Sequence, residues 1–256
     1  MVPCPYFDQV LILWKEDPEL DLGIHLTLTC EWGNKYPWTP VLSQEDVPSL
    51  YSPEGIMWRD LNELFQHASR NDIRLELEAQ ICKIFDAGLK PSHLDHHMDF
   101  YYNPVLFSDV MELSRKYHLP MRVWRRRRYS LPFVKNNFGK LRRMGYVFPD
   151  TQMGLYMMGG HNKSFEFRKT KYIDYLRSLT PGVHNIKVHI AYQTTELQRI
   201  MGHHDSIIRQ IDFDVWCSDE TKRVAEELGI IFIGYKPLQL LQQKLMGATC
   251  TSATIT

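Results

Sequence analysis

Lys90-Pro-Ser-His-Leu-Asp-His-His-Met-Asp-Phe100 is the stretch that decides the fold of this chain. It follows directly on an amphipathic segment that ends at Gly88. If the stretch begins as a strand, alternation places His93, Asp95 and His97 on one face and the intervening residues on the other. Imidazole and carboxylate groups bind divalent metals and transfer protons near neutral pH. The pattern therefore predicts half of a metal site, with a polar loop whose histidines form caps as the alternative.

Two further predicted strands each carry a histidine. Residues 21–29, Asp-Leu-Gly-Ile-His-Leu-Thr-Leu-Thr, alternate between apolar and polar positions and place His25 on the polar face. Residues 184–191 form a later strand that carries His189. Each histidine alone is more often structural than catalytic, but in an α/β barrel the carboxyl ends of the strands converge on one mouth. We therefore expect His25, His97 and His189 to meet there, where two histidines and a carboxylate leave positions open on a divalent cation.

Helical and strand patterns alternate along the whole chain, which is typical of an α/β protein with a mainly parallel sheet. The predicted helices span residues 7–15, 59–87, 104–117, 165–179 and 218–228, with Gly88 ending the second. Two more strands are predicted at residues 120–124 and 229–235. We expect a single domain over residues 1–246 and a disordered tail over residues 247–256.

Composition excludes several classes of protein. The 256 residues contain 30 basic and 30 acidic side chains, so no net field attracts nucleic acid or a membrane surface. The five cysteines are widely spaced and form no Cys-X-X-Cys pair, which favours reduced thiols and a cytoplasmic location. No apolar run reaches the roughly 18 residues that a membrane span requires, and no signal peptide is evident.

Four consecutive arginines, Arg125–Arg128, are the most basic run in the sequence. We expect them to lie in a solvated loop. The alternative is a site for an anionic sugar or a phosphate. Nucleic acid is not favoured, because the run has no interleaved aromatic residues.

Five motifs together resemble the YdjC/ChbG/HpnK-type carbohydrate deacetylases. Asp21–Thr29 is similar to the first histidine motif of that family, and Pro91–Met98 is similar to the second. Pro149-Asp150 resembles its Pro-Asp loop, and Pro181–His189 resembles its late strand, although Ile190 replaces the usual proline after the histidine. Arg209 falls in the helical region that follows. The order and spacing of the motifs cover almost the whole chain.

The resemblance implies a fold, a reaction and roles for individual residues. The fold is a distorted (β/α) barrel-like domain, and the reaction is metal-dependent hydrolysis of an N-acetyl group from an acetylated amino sugar, with release of acetate. His25 and His97 would bind the divalent metal, Mg²⁺ or Zn²⁺, and His189 would act as the catalytic acid. The residues that would orient these ligands or contact the sugar are His93, Asp95, Asp150 and Arg209.

Departures from the family leave alternatives open. The family begins with a strand that carries an Asp-Asp pair, one residue as metal ligand and one as general base, and this strand is absent before Met1-Val-Pro-Cys-Pro. Either the start is misplaced and the sequence is truncated, or the chain lacks this base and this ligand. His96 replaces the usual small residue before the metal histidine, and would either compete as a ligand or face the other way. A catalytically inactive carbohydrate-binding homologue is therefore the alternative, and a phosphoesterase that also uses the arginine run is a third option. A homodimer is a further possibility.

Overall fold

The structure, a computed structural model, describes residues 1–33, 35–123, 132–154 and 160–247, with the backbone alone for residues 132–136. The Arg125–Arg128 run and residues 248–256 of the expected tail therefore lie outside the described residues. The chain divides into two compact units. Of the described residues, the first unit contains 1–123, 132–148 and 234–247, and the second contains 149–154 and 160–233. Each unit is described by itself below, and the expectation of a single domain stays a prediction.

The first unit combines six helices with two short strands in its described residues. Its strands are β1 (Ile24–Leu26) and β2 (Leu94–His96), and 3-10 turns occur at Pro48–Leu50 and His97–Tyr102. The helices are α1 (Phe7–Glu16), α2 (Leu61–His67), α3 (Arg70–Asp86), α4 (Pro104–Lys116), α5 (Pro132–Arg143) and α9 (Lys236–Gly247).

The strands β1 and β2 pair in parallel, with α3 as the crossover helix that covers them. The register places Ile24 opposite Leu94, His25 opposite Asp95 and Leu26 opposite His96. Helix α3 packs against β1 and α4, and its apolar side is buried at Leu77, Ile81 and Ile84. A parallel pair joined by a helix in this way is the βαβ arrangement that alternating patterns predict.

Buried polar side chains of α3 fix the loop that leaves β1. The carboxamide of Gln80 accepts a hydrogen bond from the backbone N of Thr27 at 3.0 Å and donates one to its carbonyl at 2.7 Å. Glu76 accepts hydrogen bonds from the backbone N of Val41 and of Leu42 at 2.9 and 3.1 Å. Both α3 side chains are fully buried. The path of the chain after β1 therefore depends on this helix.

The second unit has two strands and three helices in its described residues. Strands β3 (Thr151–Met153) and β4 (His184–Ile186) pair in parallel, with Thr151 opposite His184. Helix α6 (Phe165–Arg177) connects them, and α7 (Thr195–Cys217) and α8 (Asp219–Glu227) follow. The core is formed by Tyr172, Ile211 and Val215. Helix α7 is interrupted at Gly202, whose φ of +85° and ψ of 163° are not helical.

The α/β prediction is confirmed at the level of a helix-rich protein with small parallel sheets. The described strands form two separate two-stranded sheets, and no closed barrel forms among them. The predicted helix over residues 59–87 is two helices, because Ser69 accepts a hydrogen bond from Asp72 N and caps the start of α3. Gly88, with φ of +78°, ends that helix as expected.

Several predicted strands are shorter in the structure than in the sequence pattern. Residues 120–123 contribute one parallel bridge between Leu94 and Met121 instead of a strand, and Trp124 lies outside the described residues. The strand expected over residues 184–191 is limited to β4, and residues 229–235 contain no strand. None of the helices in the described residues has both the length and the apolar character needed to cross a membrane.

Candidate functional site

The first unit brings His25, Asp95 and His97 together. His25 and Asp95 are cross-strand neighbours in the parallel pair, and His25 Nδ1 donates a hydrogen bond to Asp95 Oδ1 at 2.6 Å. The rings of His25 and His97 meet edge to face with 5.4 Å between centroids. Their side chains are 30 and 11% exposed, so both imidazoles are only partly accessible to solvent. The strand alternation proposed from the sequence accounts for the contact of His25 with Asp95.

A glutamate that the sequence analysis did not single out holds His97. Glu31 lies in the loop after β1, and its Oε2 accepts a hydrogen bond from His97 Nε2 at 2.7 Å. Each of the two histidines is therefore oriented by its own carboxylate, His25 through Nδ1 and His97 through Nε2. Histidines that bind metals usually donate their second ring N–H to a carboxylate or carbonyl in this way, which fixes the tautomer and the ring orientation.

Arg122 is the second residue that the sequence analysis missed. It is 3% exposed, and its Nε lies 3.5 Å from Asp95 Oδ2. Burial alone would raise the pKa of Asp95, but His25 and Arg122 outweigh this effect and hold that pKa well below its usual range. Asp95 is therefore ionised at neutral pH. The one sequence signal for Arg122 is a charged residue inside the apolar segment Leu119–Val123.

The same environment disfavours a positive charge on His25. Burial lowers the pKa of His25, although Asp95 counteracts part of this shift. A neutral imidazole with Nδ1–H directed at a carboxylate has Nε2 as its remaining acceptor, which is the form that coordinates a divalent ion. The donor chemistry of His25 and His97 therefore fits a metal with imidazole ligands.

His93 lies beside this group, where packing holds its ring. The ring stacks on Tyr235 with 4.0 Å between centroids, and a hydrogen bond of 2.8 Å joins Nδ1 to the hydroxyl of Ser92. Gly23 lies against the ring and leaves no room for a Cβ atom. Burial lowers the pKa of His93. These contacts support a neutral, rigid imidazole next to β1.

His96 faces away from His25 and His97. It is 1% exposed, its ring contacts Tyr101 at 3.9 Å between centroids, and Nε2 donates to the carbonyl of Arg122 at 3.2 Å. Burial and the Arg122 charge lower the pKa of His96 to about 4. Of the two arrangements considered for this residue, competing ligand or opposite face, the structure shows the second.

The other three predicted site residues belong to the second unit. His189 is half-buried and lies just beyond β4. Asp150 Oδ2 accepts a hydrogen bond from Val183 N at 3.1 Å, so this carboxylate supports the turn that leads into β4. The carbonyl of Arg209 in α7 accepts a hydrogen bond from Ala191 N at 3.4 Å, which ties the segment after His189 to that helix. The roles predicted for these residues stay predictions.

The second unit also contains a cavity of about 820 Å³ between α6, β4 and the apolar run at residues 228–233. Its walls include Trp216, Leu228 and Phe232, and its polar residues include His184. None of the predicted site residues lines it. The cavity therefore contributes no chemistry to the groups described above.

Comparison with known proteins places these features in context. The sequence matches the family described as YdjC-like protein over residues 1–227. A carbohydrate deacetylase of Geobacillus stearothermophilus is 37% identical over 135 residues, 52% of this chain and 51% of the relative. A carbohydrate deacetylase of Thermoanaerobacter pseudethanolicus is 26% identical over 239 residues, 93% of this chain and 86% of the relative.

The matches differ in how much of each relative they cover. The chain spans about half the length of the Geobacillus relative that it matches at 37% identity, with 51% covered. A crystal structure from Enterococcus faecalis V583, described as a candidate cellobiose-phosphate cleavage protein, superposes with a TM-score of 0.75 and 25% identity. That superposition covers 93% of this chain and 85% of the other. The histidine motifs and the match over residues 1–227 together show that this chain belongs to the YdjC-like protein family.

Proposed function

We propose that the chain is a metal-dependent carbohydrate deacetylase that hydrolyses an N-acetyl group of an acetylated amino sugar. The observation that carries the proposal is the pair of histidines, each oriented by a carboxylate: His25 by Asp95 at 2.6 Å and His97 by Glu31 at 2.7 Å. Both relatives described above are named carbohydrate deacetylase, which supports the choice of reaction.

His25 and His97 would hold the divalent ion, Mg²⁺ or Zn²⁺, through the ring nitrogens that the carboxylates leave available. When bound, such an ion supplies a Lewis acid that polarises the acetamide carbonyl. Asp95 and Glu31 keep the imidazoles in the tautomers and orientations needed for binding. Imidazole ligands suit zinc better than magnesium, so zinc is the better match for this pair.

Hydrolysis adds water to the acetamide carbonyl, and His189 would supply the proton to the sugar nitrogen as the C–N bond breaks, so that acetate and the free amine are released. A neutral amine is a far better leaving group than an amide anion, so a positioned acid lowers the barrier to this step. His93, Asp150 and Arg209 would orient these groups or contact the sugar. The contacts of Asp150 with the β4 turn and of Arg209 with the segment after His189 are compatible with such support.

The test measures acetate released from N-acetylated chitooligosaccharides, with metal removed by chelation and with Mg²⁺ or Zn²⁺ added back. We expect metal-dependent acetate release from the wild-type chain and loss of at least about 10²-fold in kcat for His97→Ala. His67→Ala is the matched control, because His67 is exposed and stacks on Trp58 at 4.3 Å instead of joining the candidate site. Calorimetric titration of each variant with zinc gives a readout that is independent of turnover.

Three outcomes separate the proposal from its alternatives. Full acetate release by His97→Ala would refute the assignment of the site. Sugar binding without acetate release, even with excess metal, would identify a binding protein instead of a deacetylase. Turnover of a phosphate ester but not of an acetamide would favour phosphoester hydrolysis.

A further inference from the structure

A second group of metal-binding side chains lies in the second unit. His161, His204 and Asp205 each offer one ligand atom, and these atoms all lie within 4.8 Å of one another. In the described part of the chain this is the one group of three histidine, cysteine or acidic residues that meets this distance. None of the three belongs to the proposed deacetylase site. We propose that they bind a first-row transition ion, with zinc as the best match.

The donor set selects the class of ion. Two imidazoles and one carboxylate suit zinc, nickel, cobalt or copper, whereas magnesium and calcium prefer oxygen ligands. The rings of His161 and His204 lie 5.2 Å apart between centroids. In a tetrahedral zinc site with Zn–N bonds of about 2.0–2.1 Å, donors lie about 3.3 Å apart. Small side-chain rotations at exposed His161 and Asp205 therefore suffice to close the site around an ion.

The backbone on both sides of His161 is fixed by a buried arginine. Arg168 Nη1 donates to the carbonyls of Gly160 at 3.0 Å and Asn162 at 3.3 Å. The rest of the same guanidinium forms a bidentate pair with Asp212 of α7, at 2.6 and 2.8 Å. Arg168 and Asp212 are both fully buried. The turn that carries His161 is thus attached to the helix that carries His204 and Asp205.

The other half of the group follows the break in α7. Gly202 interrupts the helix, and His204 and Asp205 lie in the turn that comes after it. Buried Ser206 anchors this turn, because its hydroxyl donates to the carbonyl of His203 at 3.0 Å. Asp205 Oδ1 lies 3.1 Å from His204 Nδ1, so the carboxylate and one imidazole are already adjacent. Two anchored segments, distant in sequence, therefore present three ligands to one point.

A bound ion would connect the turn before α6 to the middle of α7. With three protein ligands, at least one coordination position stays open to water, since His161 and Asp205 are exposed. The site is remote in sequence from β1 and β2, and we assign it a stabilising role. Zinc should then raise the thermal midpoint of the folded chain, because an ion that binds only the native state stabilises it.

The experiment titrates zinc chloride into the full chain in the His25→Ala/His97→Ala background, which removes the first site and separates the two proposals. We expect one zinc ion per chain and a rise in Tm. Mutation of a residue that only hydrogen-bonds to a metal ligand typically lowers metal affinity by about 10- to 100-fold. Loss of a ligand itself, as in His161→Asn or His204→Asn, should therefore weaken zinc binding by at least about tenfold. His203→Asn is the matched control, since Nδ1 of this neighbouring histidine contacts Gln193 at 3.3 Å.

Hydrogen exchange gives the second readout, with slower exchange expected around residues 160–164 and 203–206 when zinc is added. The inference is overturned if the background variant binds no zinc at micromolar concentration. It is equally overturned if His161→Asn and His204→Asn bind as tightly as their parent, or if His203→Asn loses as much affinity as they do. All three variants should hydrolyse substrate at the unaltered rate when made in the wild-type chain.

Discussion

Replacing Arg168 by methionine should destabilise the second unit more than any surface substitution. The side chains of Arg168 and Asp212 are both 0% exposed, and the guanidinium forms two hydrogen bonds to the carboxylate and two to backbone carbonyls. Methionine approximates the aliphatic part of arginine but leaves the Asp212 carboxylate buried without its cation. Breaking a buried pair in this way costs about 3–5 kcal/mol. Natural domains have only about 5–15 kcal/mol of stability, so the loss is large.

The assay is urea unfolding at pH 7, followed by far-UV circular dichroism, with the free energy of unfolding as the measured quantity. Arg223→Met is the matched control, because Arg223 pairs with Glu227 on an exposed helix face at 2.9 Å. Exposed pairs of this type contribute about 0.3–0.5 kcal/mol. The double variant Arg168→Met/Asp212→Leu removes both charges and should recover most of the loss. A cost below about 1 kcal/mol for Arg168→Met, or a double variant no more stable than the single one, would refute the reasoning.

Two further predictions concern the first unit. Gly23→Ala should lower the free energy of unfolding by about 1–3 kcal/mol, because the new methyl group overlaps the imidazole of His93. Gly247→Ala is the control and should have little effect, because open space surrounds Gly247. Equal urea midpoints for the two variants would contradict this prediction. His96 has its pKa lowered to about 4 by burial and a neighbouring guanidinium, so the unfolded state binds its proton at higher pH. The contribution of neutral His96 to the free energy of unfolding should therefore be complete above about pH 6.5. It should decrease by about 3 kcal/mol as the pH falls toward 4. Urea titrations across this pH range should show a smaller decrease in the free energy of unfolding for His96→Asn than for the wild-type chain. An equal decrease in both proteins would exclude His96 as the cause of the pH dependence.

Local sequence signals predict the helices well because their causes are local. Helix α4 begins at Pro104, after Asn103, whose side chain accepts a hydrogen bond from Val105 N, and it ends one residue before the predicted end. The break between α2 and α3 was missed, although Ser69 is a typical N-cap residue. The apolar periodicity continues across Ser69, so the cap is the only signal for that boundary.

Strand length is harder to predict because a strand needs a partner. Residues 184–191 alternate as a strand should, yet the ladder with β3 covers only His184–Ile186. The apolar run at residues 229–235 has the composition of a buried strand, but Phe232 is 61% exposed and the described residues form no ladder there. Hydrophobic composition indicates that a segment tends to be buried, whereas strand pairing depends on whether another strand lies beside it.

The same distinction explains what was found and missed in the candidate site. His25 and Asp95 could be placed together because each lies on a strand whose alternation is visible in the sequence. Glu31 could not, because its position depends on the loop after β1, which Gln80 of α3 holds through two hydrogen bonds to Thr27. The loop that carries Glu31 has no strand alternation, so no pattern in the sequence predicts its contact with His97, which lies 66 positions away.

His96 and His97 show how geometry separates two side chains of identical chemistry. Because side chains alternate along β2, His96 points into the core, where burial lowers its pKa and a backbone carbonyl accepts its Nε2–H. His97 is the first residue beyond the strand, and the left-handed conformation of Met98, with φ of +56°, turns the chain away immediately after it. That turn leaves His97 on the side of His25, where Glu31 can reach it. A shift of one residue in the register of β1 and β2 would exchange the two histidines, so the parallel register determines which imidazole lies beside His25.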